Sequence, residues 1–324
     1  MMYLQVAAGL VILLVCGELL VRGAVALAEQ FNISKLIIGF TIVAFGTSAP
    51  ELVVCIQAAL DGASGIAVGN VVGSNIANIL LVLGAPALIY PLTCDNQSAL
   101  RDSFIVIGGT LLFTVLAWTG SIAVWQGALL VATLAAVIYL AYRRARKEGG
   151  GNADEALEEY EENMPKTLWI SLLFILIGLV GLVVGSRLLV SGAVSIATAA
   201  GVSEEIIGLT LVALGTSLPE LATSIIAAFR RHGDVAIGNV LGSNLFNITG
   251  IIGAAAIIKP ITAPEQILHF DLFFLLGASV LLILIFYFKK PIGRVLGGAL
   301  FLSYLAYVLS QFMGVSGVYS VAMM

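Results

Sequence analysis

Charged residues are scarce in this 324-residue chain: Asp, Glu, Lys and Arg make up 10% of it, whereas hydrophobic residues make up 60% and the mean hydropathy is +1.08. A typical soluble domain carries about 25% charged residues. The composition therefore excludes an ordinary water-soluble protein and indicates a chain that is embedded in a lipid bilayer. No polar segment is long enough to hold a nucleotide-binding domain, which argues against an ATP-driven pump.

The residues that build catalytic and transition-metal centres are also few. The three cysteines, Cys16, Cys55 and Cys94, are scattered without metal-ligand spacing, and neither His232 nor His269 belongs to a recognisable motif. No nucleophile–base pair, HExxH motif, P-loop or dinucleotide fingerprint occurs. We therefore expect no enzyme, no bound cofactor and no nucleic-acid partner.

Long apolar runs dominate what remains. A helix needs about 20 apolar residues to cross the hydrocarbon layer. A window of that length finds ten candidate spans, at about 3–21, 36–60, 66–90, 103–118, 122–142, 168–190, 205–229, 235–258, 268–288 and 295–312. Because these runs are continuous and do not alternate with polar residues, they favour helices over strands. The predicted fold class is an all-α integral membrane protein with ten transmembrane helices.

The basic residues predict how these spans are oriented. If the loop after the fifth span is cytoplasmic, 13 of the 15 Lys and Arg residues fall on the cytoplasmic side, and only Arg187 and Lys259 fall on the other. Both termini are then extracytoplasmic. We expect a multi-pass protein of a prokaryotic inner or plasma membrane.

One hydrophilic segment divides the chain. Residues 143–167 contain three consecutive glycines and a run of acidic residues, which predicts a flexible cytoplasmic linker with a short helix around 153–162. This segment separates a first half, 1–142, from a second half, 168–324. A cation-binding regulatory role for its acidic residues is the alternative to a solvated loop.

The two halves repeat one another. GFTIVAFGTSAPELVVCIQAA returns as GLTLVALGTSLPELATSIIAA, and AVGNVVGSNIANI returns as AIGNVLGSNLFNI, so that the motif 39–79 matches 208–248 at an offset of 169 residues. Between 39–78 and 208–247, 21 of 40 positions are identical. Five spans per half is an odd number, which predicts two inverted repeats. This architecture is typical of secondary transporters whose substrate site lies near the membrane centre.

Each half carries one carboxylate deep inside an apolar span, Glu51 in the second span and Glu220 in the seventh. An ionisable residue at that depth costs about 2.5–3.5 kcal/mol on insertion scales, and it is by default a functional-site candidate. Glu18 and Asp271 lie nearer the ends of their spans. We therefore expect Glu51 and Glu220 to form the centre of a binding site.

The neighbours of these carboxylates supply further oxygen ligands. Pro50 and Pro219 lack an N–H, so they leave the carbonyls of Gly46 and Gly215 without a helical partner. Hydroxyl side chains stand three and four residues before each glutamate, at Ser48, Thr47, Ser217 and Thr216. Carboxylate, hydroxyl and carbonyl oxygens suit hard cations such as Ca²⁺ and Na⁺.

A second polar stripe follows in the third and eighth spans. Asn70, Ser74 and Asn78 recur at helical spacing, and the second half repeats them at Asn239, Ser243 and Asn247. Amides in a membrane helix can join helices or line a site. Both readings stay open for Asn70 and Asn239, whereas a ligand role is favoured for Ser74, Asn78, Ser243 and Asn247, which lie one turn deeper.

The doubled motifs GTSAPE/GTSLPE and GNVVGSNIAN/GNVLGSNLFN resemble the α-repeats of the sodium/calcium exchangers, in the calcium:cation antiporter superfamily. The resemblance covers essentially the whole chain. It implies a central core of spans 2, 3, 7 and 8, with spans 1 and 6 as a long tilted pair that slides across the core. It also implies an antiporter that exchanges Ca²⁺ for Na⁺ by alternating access.

The resemblance assigns roles position by position. It implies that Glu51 and Glu220 bind Ca²⁺ and share Na⁺, and that Asn78 lies at the central site. The remaining implied ligands are hydroxyl or backbone oxygens: Thr47, Thr216, Ser48, Ser217, Ser74, Ser243, Ala44 and Ala213. Asn247 is a departure, because many members of the family carry an aspartate at this position.

Two other functions are compatible with the residues. One is an antiporter of the same fold that is coupled to H⁺ or K⁺. The other is a channel or sensor that binds cations without coupled exchange. Saturable exchange with trans-stimulation distinguishes an antiporter from a channel, and imposed ion gradients identify the coupling ion.

Overall fold

The protein is almost entirely helical in the computed structural model, which describes residues 2–31, 33–148, 165–199 and 213–312. The helices of the first half are α1 (Met2–Phe31), α2 (Lys35–Thr47), α3 (Ala49–Leu60), α4 (Ser64–Ile89), α5 (Asn96–Ala117) and α6 (Val124–Glu148). Those of the second half are α7 (Leu168–Ala199), α8 (Ala213–Thr216), α9 (Leu218–Phe229), α10 (Gly233–Ile258), α11 (Ile267–Tyr287) and α12 (Arg294–Phe312).

The predicted apolar spans correspond to these helices. Within the described residues, seven helices are long and apolar enough to cross a membrane, or eight if the bent pair α2 and α3 is one span. The predicted seventh span, 205–229, contains α8 and α9, and its first part lies outside the described residues. The tenth, 295–312, coincides with α12. The chain is therefore a multi-pass membrane protein, and the count of ten spans stays a prediction.

A helix extends into the first part of the predicted linker. Helix α6 continues to Glu148, so residues 143–148 are helical although the sequence assigned them to the linker. The basic residues there have high helix propensity, and the described residues stop at Glu148, before the three glycines. The short helix predicted around 153–162 lies outside the described residues.

Helices α1 and α7 are longer than a bilayer requires and lie along one another. Their 30 and 32 residues correspond to about 45 and 48 Å, against a hydrocarbon layer of about 30 Å, so both helices must be tilted. Glycines mediate the contact: a Cβ on Gly9 would lie 2.7 Å from the carbonyl oxygen of Gly185, and one on Gly178 would lie 2.8 Å from Leu20 N. Only glycine permits so close an approach of the two backbones.

The core is formed by α2, α3 and α4 of the first half with α8, α9 and α10 of the second. Glycines again set the spacing, since a Cβ on Gly39 would lie 2.7 Å from the carbonyl oxygen of Val235, and one on Gly242 would lie 2.2 Å from that of Phe40. Helices α5, α6, α11 and α12 pack around this core. Large apolar side chains such as Phe104 and Leu302 are exposed on the outer helices, where lipid would cover them.

Two short pairings tie the halves together at the helix ends. Strand β1 (Ser121–Ile122) pairs antiparallel with β2 (Ile261–Thr262), and Leu92 forms an isolated bridge with Ile292. These are two-residue contacts in an otherwise helical chain. They join loops that precede or follow membrane-length helices.

Candidate cation site

The span that contains Glu51 is broken at its centre. Helix α2 ends at Thr47 and α3 starts at Ala49, with a bend of 45° and with Ser48 between them at φ −81°, ψ 6°. The second half has the same break, at Ser217 with φ −86°, ψ 2°. Proline is tolerated in the first turn of a helix because its missing N–H has no partner to lose there. Pro50 and Pro219 accordingly begin a new helix at membrane depth.

The breaks place both glutamates in the first turn of a helix. Glu51 lies in the first turn of α3 and Glu220 in that of α9, and both side chains are fully buried. The N-terminus of a helix carries a partial positive charge, which favours a nearby carboxylate. The broken helix therefore offsets part of the cost of an ionised group at this depth.

Each carboxylate faces the hydroxyl-bearing turn of the opposite half. The Ser48 hydroxyl donates to Glu220 Oε1 at 3.1 Å. The Glu51 carboxylate is close enough to Glu220, and to the hydroxyls of Thr216 and Ser217, to interact with them electrostatically. Neither of its oxygens forms a hydrogen bond of ordinary geometry. The sequence suggested that each glutamate shares a helix face with its own Thr and Ser. The breaks at Ser48 and Ser217 interrupt that face, and the two halves instead exchange hydroxyls.

The threonines of the two breaks cross between the halves in the same way. Thr47 Oγ1 lies 3.1 Å from Asn239 Oδ1, and Thr216 Oγ1 lies 3.4 Å from Asn70 Oδ1. Asn70 and Asn239 therefore hold the broken helices of the opposite half, which supports the helix-joining reading of these two amides. Their position fixes the threonine hydroxyls beside the carboxylates.

Helix α7 covers both breaks. A Cβ on Gly46 would clash with the side chain of Leu179, and one on Gly215 would clash with that of Val190. The Gly215 carbonyl, which Pro219 leaves without a helical partner, accepts a hydrogen bond from Ser186 Oγ at 2.5 Å. Freed backbone at membrane depth is tolerated when a neighbour satisfies it in this way.

Many buried polar atoms at the centre of the core have no protein hydrogen-bond partner. Within the described residues they belong to carboxylates, amides and hydroxyls: both oxygens of Glu51, Glu220 Oε2, both amide atoms of Asn78, Asn247 and Asn244, Asn75 Oδ1, the amide nitrogens of Asn70 and Asn239, and the hydroxyls of Ser74, Ser243, Thr223 and Ser224. Buried polar groups are normally satisfied, so a cluster of this kind indicates a site for ions or water. Most of these atoms are hard oxygen donors, which fit Ca²⁺ or Na⁺.

Asn78 and Asn247 lie in π-helical turns, which the sequence did not predict. The turns span Asn78–Val82 in α4 and Phe246–Ile251 in α10, and both asparagines are completely buried. A π-turn widens the helix by one residue and is frequent at functional sites. No pattern of residue types in these segments distinguishes the turn from an ordinary α-helix.

The predicted ligands fall into three groups. The side chains of Glu51, Glu220, Ser48, Ser217, Thr47, Thr216, Ser74, Ser243, Asn78 and Asn247 lie in the broken helices or in the helices beside them. The Ala44 carbonyl accepts the backbone N–H of Ser48 at 3.0 Å, and because a carbonyl oxygen has two lone pairs, its role as a cation ligand stays a prediction. Ala213 begins α8, and its side chain lies outside the described part of the chain.

Sequence reasoning missed four buried polar residues: Asn75, Asn244, Thr223 and Ser224. Asn75 Nδ2 donates to the Asn244 carbonyl at 2.9 Å, which joins α4 to α10. The GSN sequence that both halves share was the available signal for the asparagines. Thr223 and Ser224 follow Glu220 by three and four residues, a spacing that would have placed them on its helix face.

Comparison with known proteins identifies the family. The model of the family described as sodium/calcium exchanger protein matches residues 1–143 and 170–313. The sodium/calcium exchanger MaX1 of Methanosarcina acetivorans is 30% identical over 347 aligned positions, which cover 96% of this chain and 98% of that protein. CaxA of Alkalimonas amylolytica is 38% identical over 307 positions, covering 93% and 96% of the two chains.

A solved structure agrees with the sequence relatives. The sodium-calcium exchanger NCX_Mj, soaked with 10 mM Na⁺ and 10 mM Sr²⁺, superposes with a TM-score of 0.81 at 33% identity and covers 95% of this chain and 98% of its own. The members of the sodium/calcium exchanger family are transporters and not enzymes. Matching along both halves, in sequence and in fold, shows that this multi-pass membrane protein belongs to the sodium/calcium exchanger family of cation antiporters.

Proposed function

We propose that the protein exchanges Ca²⁺ for Na⁺ across the membrane by alternating access. The observation that carries this proposal is the pair of fully buried carboxylates, Glu51 and Glu220, which lie in electrostatic range of one another among unpartnered neutral oxygens. The names of the relatives MaX1 and NCX_Mj support the choice of ions.

The charge of the site explains why exchange is coupled. Two carboxylates balance the charge of one Ca²⁺, and Na⁺ ions that use the same oxygens cannot be bound at the same time as Ca²⁺. When neither ion is bound, two buried negative charges remain uncompensated, and leaving one buried charge unpaired costs about 3–5 kcal/mol. Rearrangement of the empty carrier is therefore disfavoured, which prevents a leak.

Neutral oxygen ligands support Na⁺ coupling over proton coupling. The hydroxyls of Thr47, Ser48, Thr216 and Ser217 surround the two carboxylates. A proton exchanger needs only the titratable groups, whereas small oxygen sites beside them suit Na⁺. We propose that more than two Na⁺ exchange for one Ca²⁺. When an outward Na⁺ gradient drives Ca²⁺ uptake, each cycle then moves net positive charge out of the vesicle.

The inverted-repeat architecture with ten spans belongs to the same proposal. Residues 169 positions apart have matching roles: the helices break at Ser48 and Ser217, and the side chain of Asn75 meets the backbone of Asn244. Leu92 pairs with Ile292, while Ile261, which is 169 residues after Leu92, pairs with Ile122. The matching breaks, and the two pairings whose partners lie within one residue of the repeat offset, support two repeats related by a two-fold axis.

The topology predicts that residues 143–167 face the cytoplasm and that both termini face away from it. The reason is the distribution of Lys and Arg, 13 on one side and 2 on the other. In a cysteine-free background, single cysteines at Asn152 and Ser316 should react with an impermeant thiol reagent from opposite sides of the membrane. Labelling of both in intact cells contradicts the inverted arrangement.

The coupling ion is tested in proteoliposomes that contain the purified protein. Uptake of radiolabelled Ca²⁺ is measured under Na⁺, K⁺ and pH gradients that are imposed one at a time, with the membrane potential clamped or recorded. We expect the Na⁺ gradient to drive saturable uptake and to generate a potential. Uptake driven by a pH gradient without any effect of Na⁺ assigns the protein to the proton-coupled alternative, and net Ca²⁺ current without a counter-ion assigns it to the channel class.

A further inference from the structure

An ion cluster connects the long helix α1 to the end of α9, away from the cation site. Glu18 of α1 forms ion pairs with Arg22, one turn later on the same helix, and with Arg230, which directly follows α9. Arg230 contacts both carboxylate oxygens, and its Nε lies 2.9 Å from Glu18 Oε2. The side chains are about one quarter to one third exposed, so solvent screens the cluster only in part.

The backbone packs closely at the same place. A Cβ on Gly17 would lie 3.3 Å from the side chain of Ile226 and 3.6 Å from the Ala222 carbonyl oxygen. His232, which is buried beside the cluster, is neutral at physiological pH because burial, Lys35 and Arg230 lower its pKa to about 4. The charges that join α1 to α9 are therefore those of Glu18 and the two arginines.

The 169-residue repeat gives this ion pair a counterpart of reversed sign. Arg187 of α7 occupies the position of Glu18, and Asp61, which follows α3, occupies that of Arg230. In the part of the chain that the structure describes, Arg187 is exposed and forms no ion pair, while Asp61 accepts hydrogen bonds from Gln57 at 3.0 and 3.1 Å. One pair is thus made and its repeat-related pair is open.

Helix packing shows the same asymmetry. Helix α1 lies against α9, but the repeat-related helices α7 and α3 make no comparable contact among the described residues. Ser186, the repeat equivalent of Gly17, instead bonds to Gly215 of α8. The structure therefore has one side of the core closed by α1 and the corresponding place on the other side not closed by α7.

We propose that the Glu18–Arg230 ion pair is a latch that holds α1 against α9 on the cytoplasmic side, and that Arg187 and Asp61 form the equivalent latch on the opposite side when α1 and α7 shift. The proposal rests on the alternating-access part of the proposed function. Each latch consists of two opposite charges. Its ion pair forms when its own side of the core is closed and breaks when that side opens. Each ion pair is weak enough to break during transport, and it shifts the equilibrium toward the state in which its own side of the core is closed.

The test measures access to the interface between α1 and α9. Ile226→Cys is introduced into a chain whose native cysteines are replaced, and its reaction with an impermeant thiol reagent is followed from the cytoplasmic side. We expect Glu18→Gln and Arg230→Gln each to accelerate labelling about fivefold, equivalent to about 1 kcal/mol, the upper end for partly exposed ion pairs. The double variant should react no faster than the single ones, because the two side chains act as one unit.

A second ion pair near the same surface provides the control. Lys35 lies 3.5 Å from Glu29, but this pair links α1 to α2 and not to α9. Lys35→Gln should therefore leave the labelling rate unchanged, and equal rates in wild type and Glu18→Gln overturn the latch. Arg187→Gln and Asp61→Asn should slow labelling about fivefold, and an unchanged rate in both overturns the second latch. Labelling needs no ion gradient, so a chain that is latched but not driven by Na⁺ refutes only the proposed coupling.

Discussion

Glu51→Gln and Glu220→Gln should each abolish Ca²⁺ transport while expression and folding are retained. Each substitution preserves the shape of a side chain that is fully buried in the core and removes one of the two negative charges that balance Ca²⁺. Removing one partner of a buried ionic interaction costs about 3–5 kcal/mol, which corresponds to at least about 100-fold weaker binding. Glutamine also avoids the cost of inserting a charge, so the apo protein should be at least as stable as wild type.

Two measurements separate a binding defect from a folding defect. Radiolabelled Ca²⁺ uptake into proteoliposomes reports transport, and the rise in melting temperature on adding Ca²⁺ reports binding, since a ligand stabilises the state that binds it. Both glutamine variants should lose the Ca²⁺-dependent rise and keep a cooperative transition. Transport near the wild-type rate in either variant assigns that glutamate a structural role.

Asp271→Asn is the matched control. Asp271 is also a buried carboxylate in a long apolar helix, but its Oδ1 accepts hydrogen bonds from Tyr307 at 2.8 Å and Gln311 at 2.6 Å in α12. It therefore has protein partners, unlike Glu51, and lies outside the cluster of unpartnered oxygens. We expect Asp271→Asn to transport Ca²⁺ within a few-fold of wild type.

The asparagines of α4 should differ in the same assay. Asn78 has no protein partner for either amide atom, whereas Asn70 accepts from Thr216. Asn78→Ala should accordingly reduce Ca²⁺ uptake more than Asn70→Ala does. An equal or reversed effect would mean that the helix-joining amide contributes more to the site than the unpartnered one.

The apolar helices could be predicted from sequence because they depend on local patterns. Membrane-length apolar runs are long and continuous, and the breaks follow from proline at Pro50 and Pro219 inside such runs. The limits of α1 and α7 were underestimated, since α1 continues to Phe31 and α7 to Ala199. A window set to the thickness of a bilayer stops at about 20 residues and cannot detect a tilted helix.

The exchange of ligands between halves could not be predicted, because it depends on tertiary packing. Helical spacing placed Thr47, Ser48 and Glu51 on one helix face, yet the Ser48 hydroxyl reaches Glu220 of the other half. Spacing rules hold within one continuous helix, and here the helix breaks at the residue concerned. The π-turn at Asn78 and the donation from Ser186 to Gly215 likewise have no local signal.

Asn247→Asp should shift the balance between Na⁺ and Ca²⁺ more than it changes folding. Asn247 is completely buried and both its amide atoms lack a protein partner, so an aspartate there would add a third carboxylate to the cluster. With two carboxylates, one Ca²⁺ leaves the site neutral and three Na⁺ leave it at +1. With three ionised carboxylates the corresponding charges are −1 and zero, so the substitution favours the Na⁺-loaded site.

The effect should depend on pH, because a protonated aspartate is a near-isostere of asparagine. At low pH, where the introduced carboxyl group is neutral, the variant should resemble wild type. As the pH rises through the pKa of that carboxyl group, the Na⁺ concentration that halves Ca²⁺ uptake should fall at least about tenfold relative to wild type, equivalent to about 1.4 kcal/mol. Asn78→Asp introduces the same group at the repeat-related position and should shift Na⁺ competition in the same direction. If both variants fold and transport Ca²⁺ with unchanged Na⁺ competition at every pH, neither asparagine lines the path of the ions.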